Sequence, residues 1–215
     1  MTLFDYLYFR QDSCHICKEE LSENYICPSC LSKLEFLDGN FEISFGMVNY
    51  PLFYNNMIKS IIKEFKFNKK TYLVKPLSLI LFEYMKRKED LMDADLLTYV
   101  SMDDRSLFER GYNQAYLICK ELSKLSGKEL IAITKKKMRT KEQNKSNLLE
   151  RKRNLSSSHE IIKGLNIQGK KILLIDDLVT TGSTLEAISK IILDEYDVKL
   201  RYLTITSSRI GENDD

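Results

Sequence analysis

One segment of this 215-residue chain limits its fold more than any other: KILLIDDLVTTGSTLEAI, residues 171–188. Four consecutive apolar residues, Ile172, Leu173, Leu174 and Ile175, have the pattern of a strand buried on both faces. The run stops at two adjacent carboxylates, Asp176 and Asp177. A polar turn, Thr180-Thr181-Gly182-Ser183-Thr184, then leads into a helix expected over residues 184–193. A strand covered on both faces needs a layer on each side, so the segment predicts an α/β domain with a mostly parallel sheet flanked by helices.

The same segment has a chemistry. Backbone N–H groups stacked at a helix N-terminus carry about half a unit of positive charge from the macrodipole. With the Thr and Ser hydroxyls they suit an anion such as a phosphate monoester. Gly182 tolerates positive φ and lets a ligand approach the backbone. Ionised carboxylates only accept hydrogen bonds, so Asp176 and Asp177 suit vicinal ribose hydroxyls, with Mg²⁺ as an additional partner. The plain alternative is a capped helix following a strand, with two solvated acids.

Elsewhere the text alternates helix and strand. One apolar helical face holds Met57, Ile58, Ile61, Ile62 and Phe65, and another holds Leu73, Leu77, Ile80, Leu81 and Tyr84, with Pro76 suited to a first turn. Strands are expected over residues 95–100, 130–134 and 198–206. A helix is expected over 111–126, with Ala115, Ile118, Cys119, Leu122 and Leu125 inward and Gly127 closing it. Residues 1–45 form a separate turn-rich module, 46–210 the main domain and 211–215 an acidic tail.

That first module contains Cys14-His15-Ile16-Cys17 and Cys27-Pro28-Ser29-Cys30, two CxxC knuckles with nine residues between them. Four thiolates complete a closed tetrahedral Zn²⁺ shell, a structural site with no open position. Such sites contribute on the order of 10–16 kcal/mol to folding in peptides, which a small module needs for want of a core. A redox CxxC pair and two disulfides are the alternatives. His15 is left outside the shell, and Cys119, the fifth cysteine, reads as a buried core thiol.

The net charge of +2 selects no partner class. No apolar run reaches the ~20 residues that cross a bilayer, and the start MTLFDYLYFRQDS lacks the features of a signal peptide. The expectation is no membrane insertion and a cytoplasmic location.

Positive charge concentrates at residues 135–153, with Lys135, Lys136, Lys137, Arg139, Lys141, Lys145, Arg151, Lys152 and Arg153 against Glu142 and Glu150. This run is either a solvated face, a lid over a polyphosphate or a nucleic-acid contact. For base stacking, the better interleaving is Tyr50, Phe53, Tyr54, Phe65, Phe67 and Tyr72 with Lys59, Lys63, Lys66, Lys69 and Lys70, set against a helix core with solvated lysines. Arg105 and Arg110 flank an expected loop after the strand at 95–100. Their guanidinium forks match phosphate oxygens, of a pyrophosphate or of DNA, as well as surface carboxylates.

The stretch ILLIDDLVTTGSTL resembles the ribose-phosphate loop of the type I phosphoribosyltransferases. The resemblance implies that Asp176 and Asp177 hold the ribose hydroxyls of phosphoribosyl pyrophosphate, with Mg²⁺. It further implies that Val179, Thr180, Thr181, Gly182, Ser183 and Thr184 cradle its 5-phosphate. Arg110-Gly111-Tyr112-Asn113-Gln114, then Gln143, Arg151 and Asn154, together with the cysteine module, resemble the ComF (ComFC) family of competence proteins across nearly the whole chain. The chain departs from that pattern at Val100-Ser101-Met102-Asp103-Asp104, where a proline-containing turn is frequent, and at Ser146 and His159.

The resemblance implies the type I phosphoribosyltransferase fold with an N-terminal four-Cys zinc module, Cys14, Cys17, Cys27 and Cys30 being the ligands. Three functions follow. The first is a phosphoribosyl pyrophosphate-binding protein of natural transformation, handling single-stranded DNA with other competence-machinery proteins. The second is an active phosphoribosyltransferase with a nitrogen acceptor, and the third a non-catalytic ligand sensor. No acceptor pocket or general base can be identified from the sequence; His159 is the one guess.

Overall fold

The computed structural model describes residues 13–20, 22, 25–136 and 159–210. Gln143, Ser146, Arg151 and Asn154, most of the basic run and the acidic tail lie outside the described residues.

The centre is a parallel array of β3 (Leu96–Tyr99), β7 (Lys171–Ile175) and β9 (Lys199–Leu203), with β7 between the other two. On one side β4 (Glu129–Leu130) extends β3 in parallel. On the other, β2 (Gly46–Leu52), β10 (Thr206–Ser207) and β8 (Leu178–Val179) continue in parallel from β9, while β1 (Phe36–Ile43) pairs antiparallel with β2. Apart from that last pair, the described main sheet is parallel.

Side chains alternate between two cores. From β7, Leu173 and Ile175 enter one core, and Ile172 and Leu174 the other; Leu97 and Leu96 of β3 divide the same way. Both faces are therefore apolar, and burying each such side chain stabilises the domain by roughly 1.5–3 kcal/mol. The first core takes α1 (Pro28–Leu31), α2 (Asn56–Phe67), α3 (Val74–Met85), α4 (Glu89–Met92) and α6 (Gln114–Ser126); the second takes α7 (Ser183–Glu195). Helix α2 starts where the Asn55 side chain accepts the Ile58 N–H at 3.0 Å and buries Ile58, Ile61, Ile62 and Phe65. Pro76 sits in the first turn of α3, where its missing N–H leaves no intrahelical bond unmade.

Several elements differ from the sequence expectation. Residues 36–43, placed in the cysteine module, form β1 and join the main sheet through the two-residue Ser44-Phe45 turn. The Asp-Gly-Asn inside that strand reads locally as a turn, and only pairing with β2 extends it. The loop expected to carry Arg105 and Arg110 is a helix, α5 (Asp104–Arg110), capped by the Asp103 carboxylate and ended by Gly111 at φ 83°. Helix α6 therefore begins at Gln114, with Asn113 as its N-cap, and not at 111. The strand expected over 130–134 ends at Leu130; Thr134 belongs to β5 (Thr134–Lys136), which pairs antiparallel with β6 (His159–Ile161). The strand expected over 198–206 is interrupted at Thr204, whose side chain donates to the Thr206 carbonyl, and resumes as β10. Leu125, expected to face inward, is 37% exposed.

Among the described residues no helix is long and apolar enough to cross a membrane.

Candidate sugar-phosphate site and metal centre

Asp176 and Asp177 follow β7 directly, at the carboxyl edge of the central parallel strands, where open α/β sheets bind ligands. The Asp177 N–H donates to Asp176 Oδ1 at 2.8 Å, and the Leu178 N–H to Asp177 Oδ1 at 2.6 Å. These local bonds fix both carboxyl groups against the strand end. Asp177 is 6% exposed, and the ammonium of Lys66, from the last turn of α2, lies 3.0 Å from its Oδ1. Burial, and then the neighbouring charge of Asp177, push the Asp176 carboxyl up to about 7.

Beyond the acids, Leu178–Val179 pairs with Thr206 and Ser207 and carries the chain out to the turn. Thr180 and Thr181 are exposed there, and Ser183 and Thr184 half-buried. Helix α7 begins at Gly182 with no side-chain cap. The Thr181 and Ser183 hydroxyls lie 2.9 Å apart, and the Ser183 N–H reaches Thr181 Oγ1 at 3.3 Å. The turn thus combines exposed hydroxyls with a helix start whose N-cap residue, Gly182, has no capping side chain, an arrangement able to hold a phosphate.

Gly182 is required twice over. Its φ is 84°, and a Cβ there would lie 2.8 Å from Ile43 Cγ2. The wall it packs against is the β1–β2 hairpin. That hairpin also anchors α7, because the Ser44 N–H and hydroxyl both donate to Glu186 Oε1, at 3.0 and 2.7 Å. Arg209 stacks on Phe41 of the same wall, its guanidinium 4.6 Å from the ring centre.

The sequence-predicted residues do not all gather here. Arg105 is on the open face of α5, paired with Glu109 at 2.8 Å and with its side chain 88% exposed. Arg110 leans over Phe67, 5.2 Å from the ring centre, and donates to Gln114 Oε1 at 3.3 Å. His159 is buried in β6 with Nε2 3.3 Å from the Ser101 carbonyl, and burial lowers its pKa. Of the aromatic cluster proposed for stacking, Tyr50 and Phe65 are core residues, while Phe67 is 61% exposed. Lys66, a member of the same stacking-and-charge set, is instead paired with Asp177, a contact that bridges distant parts of the chain and leaves no local signature.

A separate cleft of about 840 Å³ opens beyond β3. Its lining includes Tyr99, Tyr112, Tyr116, Ser101, Lys135 and Lys136.

The four N-terminal cysteines converge, with ligand atoms all within 4.8 Å of one another. Cys17 and Cys27 Sγ are 3.8 Å apart, and the cysteines are unbridged. A disulfide would hold sulfurs near 2.05 Å, whereas four sulfurs about 2.3 Å from one tetrahedral ion lie about 3.8 Å apart. The donor set therefore fits a closed metal site. Backbone N–H groups of Ile16 and Cys30 point at Cys14 and Cys27 Sγ, at 3.4 and 3.3 Å, and stabilise thiolate charge. At Cys14 burial raises the pKa, but hydrogen bonds from neighbouring backbone and thiol groups outweigh it and bring it down to about 6. Burial pushes the Cys30 thiol up. His15 stays outside the cluster, its Nδ1 2.8 Å from the Tyr72 carbonyl, and so docks the knuckle onto the main domain. Cys119 is a fully buried core thiol.

The family profile described as phosphoribosyl transferase domain matches residues 110–213. Competence protein F of Haemophilus influenzae is 27% identical over 83% of each chain. DNA utilization protein YhgH of Escherichia coli is 30% identical over 63% of this chain and 61% of its own length. Competence protein ComFC of Bacillus subtilis is 29% identical over 66% of this chain, which spans only 56% of that protein. Among solved structures, adenine phosphoribosyltransferase from Saccharomyces cerevisiae shares 13% identity, with 82% of this chain and 85% of that one covered, at a TM-score of 0.42. So loose a superposition leaves the fold assignment to the family profile and the strand order. With the domain match, the competence-protein relatives and the four-cysteine cluster together, this chain has a type I phosphoribosyltransferase fold and is similar to the ComF family of competence proteins.

Proposed function

We infer that the chain binds phosphoribosyl pyrophosphate and acts in DNA uptake, handling single-stranded DNA in the cytoplasm during natural transformation. One observation carries the ligand: two acids at the end of the central strand, followed by a hydroxyl-lined turn into a helix whose N-cap is a glycine. Asp176 and Asp177 take the ribose hydroxyls, and residues 179–184 the 5-phosphate. Mg²⁺, bound with the ligand, would offset diphosphate charge. Arg105 and Arg110 are the proposed cations for pyrophosphate or nucleic-acid phosphate. Zn²⁺ on Cys14, Cys17, Cys27 and Cys30 is structural. The DNA role is supported by relatives named for competence and DNA utilization.

Calorimetry with phosphoribosyl pyrophosphate and Mg²⁺ tests the ligand, with Asp176→Ala/Asp177→Ala expected to abolish measurable binding. Affinity equal to the unaltered protein would remove both acids from the site. For nucleic acid, the logarithm of single-strand affinity should fall with log salt by about 0.7 per phosphate neutralised; a flat plot refutes the contact. Unchanged transformation frequency after gene deletion refutes the role in uptake.

The cleft beyond β3 favours a second reading, transfer of ribose 5-phosphate to a nitrogen acceptor, because β3 is the strand beside β7 and its end opens on the same sheet edge. Asp176 and Asp177 would then orient the sugar, and exclusion of water would protect the reacting carbon. A panel of nucleobases, ammonia and glutamine that releases no pyrophosphate counts against transfer.

A further inference from the structure

The Arg110-Gly111-Tyr112-Asn113-Gln114 motif contacts the end of α2 more than it contacts the acids. The Tyr112 hydroxyl donates to the Phe65 carbonyl, and Gln114 Nε2 lies 3.5 Å from the carbonyls of both Phe65 and Lys66. Arg110 covers Phe67. Asn113 donates from Nδ2 to the Val100 carbonyl at 2.9 Å while its Oδ1 caps α6. The motif therefore ties the last turn of α2 to the carboxyl end of β3. These are the carbonyls that α2 itself leaves without intrahelical partners.

What that clasp holds in place is Lys66. Its side chain is 17% exposed, and its ammonium lies 3.0 Å from Asp177 Oδ1. Two adjacent carboxylates at one strand end repel each other, and a partly desolvated ammonium offsets this repulsion more strongly than a solvated one would. We propose that Lys66 is a positioning residue for the sugar site. It acts as a counter-cation within the chain that sets the orientation of Asp177 for a ribose diol, and the Tyr112–Gln114 clasp keeps it there. A divalent ion then becomes unnecessary at the ribose side, whatever the diphosphate requires.

The assignment rests on the sugar-phosphate reading above, and the test separates the two. Ribose 5-phosphate, which lacks the diphosphate, is titrated by calorimetry into the full chain in buffer with no added divalent ion and no chelator, so that the cysteine site is undisturbed. Lys66→Met is expected to bind about tenfold more weakly, the loss typical of one charge-assisted hydrogen bond. Millimolar Mg²⁺ should recover most of that loss, while changing the unaltered protein little. Lys66→Arg keeps the charge and should stay within about threefold of it. Tyr112→Phe deletes only the hydroxyl and should cost about threefold, the effect of a neutral hydrogen bond acting at one remove.

Equal affinity of Lys66→Met and the unaltered protein overturns the assignment. So does a Lys66→Met loss that neither Arg nor Mg²⁺ repairs, because a merely structural lysine would behave that way. Unchanged affinity in Tyr112→Phe overturns the clasp. If Asp176→Asn also leaves ribose 5-phosphate binding intact, or the unaltered protein binds none, the sugar-phosphate reading itself fails.

Discussion

The cysteine cluster and the acid-turn segment both come from short contiguous motifs, but they depend differently on the rest of the chain. In the cysteine cluster, ligands and N–H donors belong to the same two knuckles: Ile16 donates to Cys14 and Cys30 to Cys27. Distant residues dock it, through the His15 ring on the Tyr72 carbonyl and Lys18 over the Tyr72 ring. The acid-turn segment is completed from afar. Lys66 pairs with Asp177, Ile43 walls Gly182, Ser44 holds Glu186 and Thr206 pairs with Leu178. A closed metal shell needs four donors and little more, whereas an open anion site needs a scaffold that shapes it and leaves one side free. The first should tolerate distant change and fail at its own ligands; the second should fail at a distance.

The largest expected effect breaks the local site. Cys27→Ser removes one of four thiolates and should cost several kcal/mol, a substantial part of the ~10–16 kcal/mol that such sites contribute. Elemental analysis should show metal lost, and the melting temperature should fall steeply. Retention of a full equivalent of zinc would contradict a four-sulfur shell.

Gly182→Ala comes next and separates the two regions. The new Cβ meets Ile43 while the backbone is held at positive φ, so destabilisation of about 1–3 kcal/mol is expected. Phosphoribosyl pyrophosphate affinity should drop with zinc content unchanged. Loss of both together would show that the regions are not independent.

The pH dependence of stability has a contribution from Asp176. Asp176 is pushed up to about 7 in the folded protein, against ~3.9 for an unfolded aspartate. Between those values the folded state binds the extra proton. The group's contribution is therefore fully present below about pH 4 and is lost as pH rises through about 7. In denaturant melts between pH 5 and 8, the difference in stability between the unaltered protein and Asp176→Asn should decline with rising pH, while half-buried His15 and buried His159, whose pKa values burial lowers, contribute equally to both. An Asn variant with an unaltered slope would assign the titration elsewhere.

Smallest is Arg105→Ala. An exposed pair with Glu109 contributes little, so stability should change by less than about 0.5 kcal/mol. Weaker phosphoribosyl pyrophosphate or single-strand binding at unchanged stability would place this arginine at the ligand; unchanged binding would leave it a surface ion pair.

Those contrasts also divide what could be read from the chain. Ile172 to Ile175 already pointed to a strand covered on both sides, and the paired CxxC knuckles to a metal-type cluster ahead of a redox pair or disulfides; both signals are local in sequence. The carboxylates at a strand end and the glycine at the start of α7 were legible for the same reason, since a helix start and a left-handed residue are decided within a few positions. The β1–β2 hairpin was missed because Asp38-Gly39-Asn40 favours a turn locally and is overruled by pairing with residues 46–52. Helix α5 was missed because seven residues give too little periodicity; none of its residues is buried.

By itself, then, the sequence determined the layered α/β plan, the four-sulfur cluster and the order of acids, turn and helix, each encoded by neighbours along the chain. Tertiary structure alone decided which cation meets Asp177, which wall leaves no room for a Cβ at Gly182, and that Tyr50 is core. The reason is physical. Burial and ion pairing depend on what the whole chain brings within a few ångströms, and nothing in the residues flanking Lys66 specifies an aspartate beyond a strand end more than a hundred positions later.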